Sequence, residues 1–253
     1  MTSRRAWNAK LKNRRGFLQA AGASAAAVLV GNLPFAALAQ TGASAKMRIG
    51  TLGSGRVGSA IGRAWVKAGH EVMFSSLDLE ADRKLAASLG SGARAGTPRE
   101  AAAFGAVLLV SVPYAALPGL GRDLGDLIKG KIIIDTSKPI VARDGEMAVA
   151  AREKGAGIAS MEYLPGARIV RAFNAIGAAR MAEAAGSSQR VGMPIAGDDP
   201  DAIRVASALV RDVGYEPVLV GTLAAMGKYL IPGTPLAGER SPEEIRKVAA
   251  TLK

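Results

Sequence analysis

Cysteine is absent from the 253-residue chain, and histidine occurs only once. The lack of cysteine excludes disulfides, thiol nucleophiles and thiolate metal sites. The single histidine, His70, excludes a cluster of histidine ligands and argues against a histidine-based triad; we expect it in a surface turn. The sequence therefore predicts no metal site, and it favours chemistry that needs little proton transfer from side chains.

Aromatic residues are also scarce, at 4% of the chain, whereas basic residues are in excess and give a formal net charge of +12. The first 39 residues carry six basic and no acidic residues, so the charge of the remainder falls to +6. No basic stripe with interleaved aromatics, as in nucleic-acid-binding proteins, is present. The remaining charge is typical of ordinary solubility with a mild preference for anionic ligands, and no nucleic-acid partner is expected.

The first 39 residues have the pattern of a secretory signal peptide. A basic segment precedes the uncharged stretch Ala20–Ala39, which ends in the small-x-small site Ala37-Leu38-Ala39. Within the basic segment, Asn13–Gln19 closely resembles the twin-arginine motif, which implies a bacterial Tat signal. We expect residues 1–39 to be a Tat-type signal peptide and residues 40–46 to be a linker.

The alternative for this segment is a membrane anchor, because about 20 uncharged residues are enough to span a bilayer. The stretch is mostly alanine and is interrupted by Gly22, Gly31 and Pro34. We therefore favour cleavage after Ala39, a periplasmic or otherwise exported protein, and the Tat machinery as its transport partner. A stable membrane anchor is not expected.

From Met47 onward, short β-branched runs alternate with alanine-rich helical stretches, which is typical of a parallel sheet with crossover helices. Residues 47–253 are predicted to form one α/β domain, a Rossmann-like, doubly wound, mainly parallel sheet with a small C-terminal helical appendage. The predicted strands are Met47–Leu52, Glu71–Ser75, Ala93–Ala95, Ala106–Val112, Lys131–Asp135, Arg168–Phe173, Arg190–Ala196 and Pro217–Val220. The predicted helices are Arg56–Ala68, Leu79–Leu89, Pro98–Phe104, Glu146–Lys154, Asp201–Val213 and a last one that starts at Ser241.

Two further segments carry expectations about binding. A loop containing Met161–Pro165 is expected to reach over a cofactor or to cover a dimer partner. The apolar stretch around Leu223–Leu236 is larger than one small domain needs, which favours a homodimer.

The segment Gly53-Ser54-Gly55-Arg56-Val57-Gly58 lies between the first predicted strand and the first predicted helix. This order of strand, glycine turn and helix is the dinucleotide-binding fingerprint. Gly53 would make the tight turn, Gly55 would admit a pyrophosphate, and Gly58 would let helix and strand pack closely. The helix N-terminus would then present free N–H groups and a partial positive charge to the phosphates.

The residue expected at the adenosine ribose lies about 20 residues further on, at the end of the second strand. That position is Ser76, preceded by Ser75. Neutral hydrogen-bond donors tolerate a 2′-phosphate, so NADP is favoured over NAD. Asp78 is close enough to turn toward the ribose and favour NAD. Arg83 and Lys84, on the next helix, are candidates to supply positive charge, but we expect them to be solvated.

Five motifs in this order resemble one family. They are the glycine turn, Phe74-Ser75-Ser76, Val110–Tyr114, Asp135–Pro139 and Arg171–Asn174. Together they resemble the NADPH-dependent deazaflavin-coenzyme reductase-like family of NADP oxidoreductases, to which the pyrroline-5-carboxylate reductase N-terminal domain is related. The resemblance runs from about Met47 to the C-terminus. Family members usually carry an arginine where this chain has Leu77.

The resemblance implies hydride transfer between a nicotinamide and an acceptor bound over the carboxyl edge of the sheet. Ser111, Val112 and Pro113 would pass under the nicotinamide, Asp135-Thr136-Ser137 would close the pocket, and Phe173 and Asn174 would lie near the reacting ring. No catalytic residue is assigned. The expected cofactor-binding residues are Gly53, Ser54, Gly55, Arg56, Val57, Gly58, Ser75, Ser76, Ser111, Val112, Pro113, Asp135 and Asn174.

Three functions remain open at this point. The first is an NADP-dependent oxidoreductase whose acceptor is a deazaflavin, a flavin-like ring or another small redox molecule, for which stacking and orientation matter more than a general acid. The second is a nucleotide-binding sensor module without turnover. The third is an imine or carbonyl reductase, which needs a proton donor, with Tyr114, Lys138 and Tyr163 as candidates.

Overall fold

The computed structural model describes residues 46–183 and 191–252. The predicted signal peptide and most of the predicted linker lie outside these residues, as does Arg190 at the start of one predicted strand. Within the two described ranges, no helix is both long and apolar enough to cross a membrane.

Eight strands of the described chain form one sheet in the order β3-β2-β1-β4-β5-β6-β7-β8. Strands β1 to β6 run parallel, β7 pairs antiparallel with β6, and β8 pairs parallel with β7. The predicted doubly wound, mainly parallel sheet is confirmed. The strands are β1 Arg48–Leu52, β2 Glu71–Phe74, β3 Ala93–Ala95, β4 Val107–Val110, β5 Ile132–Asp135, β6 Arg168–Arg171, β7 Gly192–Gly197 and β8 Glu216–Gly221.

Helices cover both faces of this sheet, and several begin where the sequence predicts. Thr97 and Ser241 each form a capping box with the glutamate three residues later, and a proline follows each cap. The helices are α1 Arg56–Lys67, α2 Leu79–Ala87, α3 Pro98–Phe104, α4 Leu117–Ile128, α5 Val141–Asp144, α6 Glu146–Lys154, α7 Ala156–Tyr163, α8 Ala178–Glu183, α9 Pro200–Val213, α10 Leu223–Met226 and α11 Pro242–Thr251.

The two faces of the sheet belong to two separate hydrophobic cores. In β4, Val107 and Leu109 pack on one side with α1 and α9, whereas Leu108 and Val110 pack on the other with α4, α7 and α11. A strand that is buried on both faces needs a continuous apolar run, which explains why β4 reads as one in the sequence.

The loop expected around Met161–Pro165 is wrong, because most of it belongs to helix α7. This helix lies against α4, where a Cβ atom on Gly121 would come within 1.8 Å of the carbonyl oxygen of Tyr163. Only a glycine at position 121 permits helix α4 to approach the end of α7 so closely. Helix α4 was not predicted from the sequence. The segment is therefore packed into the domain and does not form a lid.

The apolar stretch that favoured a homodimer is buried within the single chain. Leu223, Met226, Leu230, Ile231 and Leu236 are all buried in the core that also contains residues of α4 and α7. The stretch is thus core, and the reason given for a dimer is wrong; a homodimer itself stays a prediction.

The expectation for His70 is also wrong, since the residue is only 1% exposed. Its Nδ1 atom accepts a hydrogen bond from the backbone N–H of Met47, and its Nε2 atom lies 3.0 Å from Asp212 Oδ2. His70 therefore joins the start of β1 to helix α9 and has a structural role.

Candidate functional site

The carboxyl ends of β1, β2, β4, β5 and β6 meet at one edge of the sheet, because these strands are parallel. The strand order reverses beside β1: β2 and β3 follow on one side, and β4 onward lie on the other. Ligands of open α/β sheets bind at such a point, outside the carboxyl ends of the strands.

The glycine turn lies at this edge, and each glycine has the geometry that the sequence predicts. Gly53 has φ of +100°, and a Cβ atom there would come within 2.3 Å of the Ser111 carbonyl oxygen. A Cβ atom on Gly58 would come within 1.9 Å of the Gly53 carbonyl oxygen, so glycine is needed for close packing of α1 on the turn. A Cβ atom on Gly55 would meet nothing within 4 Å, which leaves open space above the backbone for a ligand.

The amino end of α1 is open toward this space. No side chain caps it, and its first turn contains no acidic residue. The first N–H groups of a helix lack partners within the helix and carry partial positive charge. This end therefore fits a phosphate or pyrophosphate group.

A cleft of about 320 Å³ extends from the glycine turn across the ends of β4 and β5. Three of its lining residues are basic, Arg56, Lys138 and Arg143, and none is acidic. The cleft therefore favours an anionic ligand. Its lining consists of Gly55, Arg56, Val57, Ser111, Val112, Pro113, Thr136, Ser137, Lys138, Ile140, Arg143 and Ala178.

Six of the predicted cofactor-binding residues are among the residues that line this cleft. They are Gly55, Arg56, Val57, Ser111, Val112 and Pro113. The cleft thus brings the glycine turn and the loop after β4 together, as the resemblance implies. Contact of these residues with a cofactor stays a prediction.

A buried carboxylate that the sequence analysis missed lies between two other predicted residues, Ser54 and Ser76. Asp82 of α2 accepts hydrogen bonds from Ser54 Oγ and, at 2.8 Å, from Ser76 Oγ. Asp78, which was expected to compete for the ribose, instead caps α2 by accepting a hydrogen bond from the Ala81 N–H at 2.9 Å. The acid closest to the predicted ribose position therefore comes from the helix and not from the end of the strand.

Behind the cleft, the side chains of Asp135 and Arg171 form an ion pair with no solvent exposure. Asp135 Oδ1 accepts hydrogen bonds from the N–H and the Oγ of Ser137, and its Oδ2 accepts from Ser160 Oγ at 2.8 Å. Arg171 donates to the carbonyl oxygens of Ser137 and Leu230. The pair therefore fixes the backbone of the cleft wall from the inside.

Asp135 and two other predicted cofactor-binding residues are buried and are not among the residues that line the cleft, and their contact with a cofactor stays a prediction. The Asp135 carboxylate is saturated by the contacts above. Ser75 donates its hydroxyl to the Thr51 carbonyl oxygen and so ties β2 to β1. Asn174 donates to the carbonyl oxygens of Asp135 and Ser137 at 3.1 and 3.0 Å. All three side chains form hydrogen bonds with backbone groups at the edge of the sheet and so stabilise it, and none of them lines the cleft.

Phe173, which was expected near the reacting ring, is a core residue. Its ring packs edge-on against Tyr215, with centroids 6.2 Å apart. Its φ of +62° is rare for a residue with a side chain, and β6 has already ended at Arg171. The strand is therefore shorter than predicted.

The three candidate proton donors differ in position. Tyr114 is fully buried, its hydroxyl donates to the Ala156 carbonyl oxygen at 2.9 Å, and burial raises its pKa to about 12. Tyr163 packs edge-on against Tyr114 and does not line the cleft. Lys138 lines the cleft, and burial, with Arg143 and Arg171 nearby, lowers its pKa from the usual value. Of the three, only Lys138 is placed to reach a ligand there.

Arg143 and Ile140 also line the cleft but were not predicted. Arg143 is held by Asp144, with Nε 3.0 Å from Oδ1, and it donates to the Lys138 carbonyl oxygen at 2.8 Å. Both residues lie just after Pro139, in a segment that has no clear pattern of strand or helix in the sequence. Their position near β5 was the only available signal.

The fold and the cleft together are typical of Rossmann-type proteins that bind a dinucleotide. Residues 48–139 match the model of the family described as "NADP oxidoreductase coenzyme F420-dependent". The matched segment runs from β1 to just after β5 and contains the glycine turn and most of the cleft. The predicted resemblance to this family is confirmed over residues 48–139, and with it a nicotinamide dinucleotide of the NAD(P) type as the cofactor.

Solved structures agree with this assignment of the fold. The chain is similar to a hypothetical protein from Sinorhizobium meliloti, with 25% identity and a TM-score of 0.67 over 78% of this chain and 96% of that one. It is similar in fold to a putative f420-dependent NADP-reductase from Arthrobacter sp. FB24, with 18% identity and a TM-score of 0.61 over 74% and 90% of the two chains.

A pyrroline-5-carboxylate reductase from Coxiella burnetii shares the fold over a smaller part of its length. The identity is 14% and the TM-score 0.51, over 69% of this chain and 60% of that one. A comparison with curated protein sequences gives no match.

Proposed function

We propose that the chain transfers a hydride between NADP(H) and a small, planar redox acceptor, such as a deazaflavin or a flavin-like ring, bound in the cleft. The nicotinamide supplies the hydride chemistry when it is bound. The protein contributes binding and orientation: the amino end of α1 holds the phosphates, and Val112 and Pro113 form the surface under the nicotinamide end.

The observation that carries this proposal is the continuity of the cleft. Its lining runs from Gly55 at the open helix end, past Pro113, to Lys138 and Arg143 on the far wall. A dinucleotide that starts at the glycine turn would leave its reactive end beside the basic far wall. That wall suits an acceptor that carries negative charge.

The choice of a ring acceptor follows from how few groups in the cleft can donate a proton. Lys138 is the one lining side chain with a titratable proton other than the two arginines. Hydride transfer to a conjugated ring depends mainly on stacking and orientation, so it does not need a further proton donor in the cleft.

The test is to mix the full chain with NADPH and a panel of acceptors: a deazaflavin, a flavin mononucleotide, a cyclic imine and a carbonyl compound. The proposal predicts loss of the reduced-nicotinamide absorbance, at roughly 340 nm, with a ring acceptor. Binding of NADPH without absorbance loss in any pairing would favour a sensor module and contradict the proposal. A variant with Gly55 replaced by valine serves as the control without a nucleotide site.

The position of Lys138 favours a second function, reduction of an imine or a carbonyl. Its Nζ atom donates to the Ile176 carbonyl oxygen at 3.2 Å, and its lowered pKa makes the amine a better acid than a solvated lysine. Turnover with the cyclic imine or carbonyl compound, and none with the ring acceptors, would establish this function instead.

We also propose that the protein is exported by the Tat pathway and that residues 1–39 are removed. The proposal is supported by the twin arginines Arg14 and Arg15, the uncharged stretch that follows them and the cleavage pattern before Gln40. Tat export carries folded proteins, so a dinucleotide bound before export would travel with the protein.

A further inference from the structure

Asp82 lies where the adenosine sugar of a dinucleotide is expected, between the glycine turn and the end of β2. Ser54 of the turn donates a hydrogen bond to its Oδ1 atom, and Ser76, after β2, donates to its Oδ2 atom at 2.8 Å. The residue is 1% exposed. A buried carboxylate thus joins the hydroxyl of Ser54 in the glycine turn to that of Ser76 at the expected ribose position.

We propose that Asp82 determines the specificity for the cofactor, and that because of it the chain binds NAD(H) at least as tightly as NADP(H). The inference rests on the proposed function, since it requires a dinucleotide in the glycine turn. Ser54, Ser76 and Asp82 all lie within the segment that matches the NADP oxidoreductase family.

The first argument is competition for the two donors. A 2′-phosphate would need hydrogen bonds from the hydroxyls of Ser54 and Ser76, but both already donate to Asp82. To bind, the phosphate would have to displace the carboxylate and leave it buried without its partners, which is costly. A neutral 2′-hydroxyl does not require this displacement, so the hydrogen bonds from Ser54 and Ser76 to Asp82 stay in place when NAD(H) binds.

The second argument is charge. The phosphate and the carboxylate are both negative, and two like charges in adjacent positions disfavour each other. No basic side chain of the described residues forms an ion pair with Asp82. Arg83, the next residue on α2, pairs with Glu80 on the exposed side of the helix.

The third argument is the residue that would otherwise neutralise the phosphate. Leu77 directly follows Ser76, and its side chain is fully exposed, at 105% of the reference area. The family resemblance leads one to expect an arginine at this position. A leucine gives an adenine or ribose an apolar surface but no charge for a phosphate.

The test compares the dissociation constants of NADPH and NADH for the full chain, measured by nicotinamide fluorescence. The wild type is expected to bind NADH at least as tightly as NADPH. Asp82→Asn keeps the shape of the side chain and removes its charge, so it should improve the ratio in favour of NADPH by about tenfold, or roughly 1.4 kcal/mol. Glu80→Gln is the matched control, because it removes one charge from the exposed face of the same helix and should leave the ratio unchanged.

A second measurement needs no substitution and so does not depend on how a variant folds. AMP and adenosine 2′,5′-bisphosphate, which differ only in the 2′-phosphate, are used to displace NADH from the wild type. The bisphosphate is expected to compete no better than AMP. Competition by the bisphosphate that is about ten times stronger would overturn the inference.

The outcomes separate this inference from the proposed function. A ratio that Asp82→Asn does not change, or a wild type that prefers NADPH, overturns the inference and leaves the proposed function intact. A wild type that binds neither nucleotide overturns both. A purely structural role for Asp82 would lower the stability of Asp82→Asn without changing the ratio.

Discussion

Arg171 of β6 and Asp135 of β5 form an ion pair with no solvent exposure on either side chain, directly beneath the wall of the cleft. Their strands are neighbours, and Asp135 is the register partner of Arg171. The pair also holds the backbone of Ser137, which lines the cleft. A buried pair of this kind fixes one arrangement of the groups around it, at the cost of removing two charges from water.

Replacing one partner of this pair should destabilise the fold strongly. Arg171→Met leaves the Asp135 carboxylate buried without its cation, which costs about 3–5 kcal/mol. The free energy of unfolding, measured by urea denaturation, tests this. Lys154→Met is the control, since it breaks an exposed ion pair with Glu162 and should cost less than about 1 kcal/mol. Equal losses in the two variants would contradict the structural role assigned to the buried pair.

Gly55→Val should abolish binding of the dinucleotide while the fold is retained. The added side chain would meet no protein atom within 4 Å at its Cβ, so it enters the space reserved for the pyrophosphate. We expect affinity to fall by at least about a hundredfold, or roughly 2.7 kcal/mol. Calorimetric titration with NADPH measures it, and an unchanged melting temperature shows that the fold is retained.

Two other glycine variants serve as controls for that experiment. Gly125→Val introduces the same side chain at a position on α4 that is also free of contacts, and it should bind normally. Gly58→Val should instead disrupt the turn itself, because its Cβ would overlap the carbonyl of Gly53. Normal binding by Gly55→Val would show that no pyrophosphate lies against that backbone.

Lys138 should control the pH dependence of turnover only if the acceptor needs a proton. Its pKa is lowered by burial and by Arg143 and Arg171, so the amine loses its proton below the ordinary value of 10.5. With an imine or carbonyl acceptor, kcat should therefore fall as pH rises through that lowered pKa. Lys138→Arg, which keeps the charge but does not release a proton, should abolish this turnover and retain NADPH binding.

The same variant gives a different result with a ring acceptor. Lys138→Arg should then retain most of its turnover, because the step depends on orientation. Tyr114→Phe is the comparison for both acceptors: it removes a buried hydroxyl that donates to Ala156, so it should cost about 1 kcal/mol of stability and leave kcat unchanged. A lower kcat of Tyr114→Phe would contradict the conclusion that Tyr114 is a buried structural residue and not a proton donor.

The ion pair between Arg168 and Asp199 should make stability depend on acidic pH. The hydrogen bond from Arg168 lowers the pKa of Asp199 from 3.8 to about 2. A carboxylate with a lowered pKa stabilises the fold above its unfolded-state pKa, and this contribution is lost as the pH falls through about 2. The melting temperature of Asp199→Asn should thus be lower than that of the wild type at neutral pH, and the two should converge as the pH falls from 4 toward 2.

The choice of asparagine isolates the charge in that experiment. Asp199 also caps α9 by accepting a hydrogen bond from the Ala202 N–H at 2.8 Å, and asparagine caps helices about as well. Asp201→Asn is the control, because its carboxylate is exposed and 3.9 Å from Arg168. A difference between Asp199→Asn and the wild type that does not change with pH would contradict the assigned pKa.

Much of the fold follows from the sequence because the strands of a parallel sheet are buried on both faces. The apolar runs of β4 and β5 and the glycine turn before α1 mark the centre of the sheet, and the capping residue Ser241 marks the last helix. Helices α4 and α7 were missed because both contain glycines, of which Gly121 allows the two helices to pack closely. In a sequence, glycines are more typical of loops than of helices.

The parts of the site that local backbone geometry determines were predicted from the sequence. The parts that depend on a side chain from a distant position were missed. The glycines of the turn and the loop around Pro113 follow from local sequence. Asp82 was missed because the sequence rule expects an acidic residue at the end of the second strand, whereas this one lies on the following helix, α2. Asp135 was placed in the pocket because nothing in the sequence pairs it with Arg171, which lies 36 residues further along the chain.

The export proposal predicts the behaviour of the twin-arginine residues. Replacing Arg14 and Arg15 together by lysine should leave the precursor inside the cell, because the Tat pathway reads the arginine pair. Fractionation of a bacterial host and the mass of the secreted protein measure this. Unimpaired export of the double variant would contradict the twin-arginine assignment, and an exported protein that retains residues 1–39 would contradict cleavage after Ala39.

A crystal structure of the protein with bound NADPH tests the central claim most directly. The account predicts the diphosphate against the N–H groups of Arg56 and Val57, with the nicotinamide beside Val112 and Pro113. Density for the nucleotide at another place on the molecule, or an empty cleft at saturating NADPH, would contradict it.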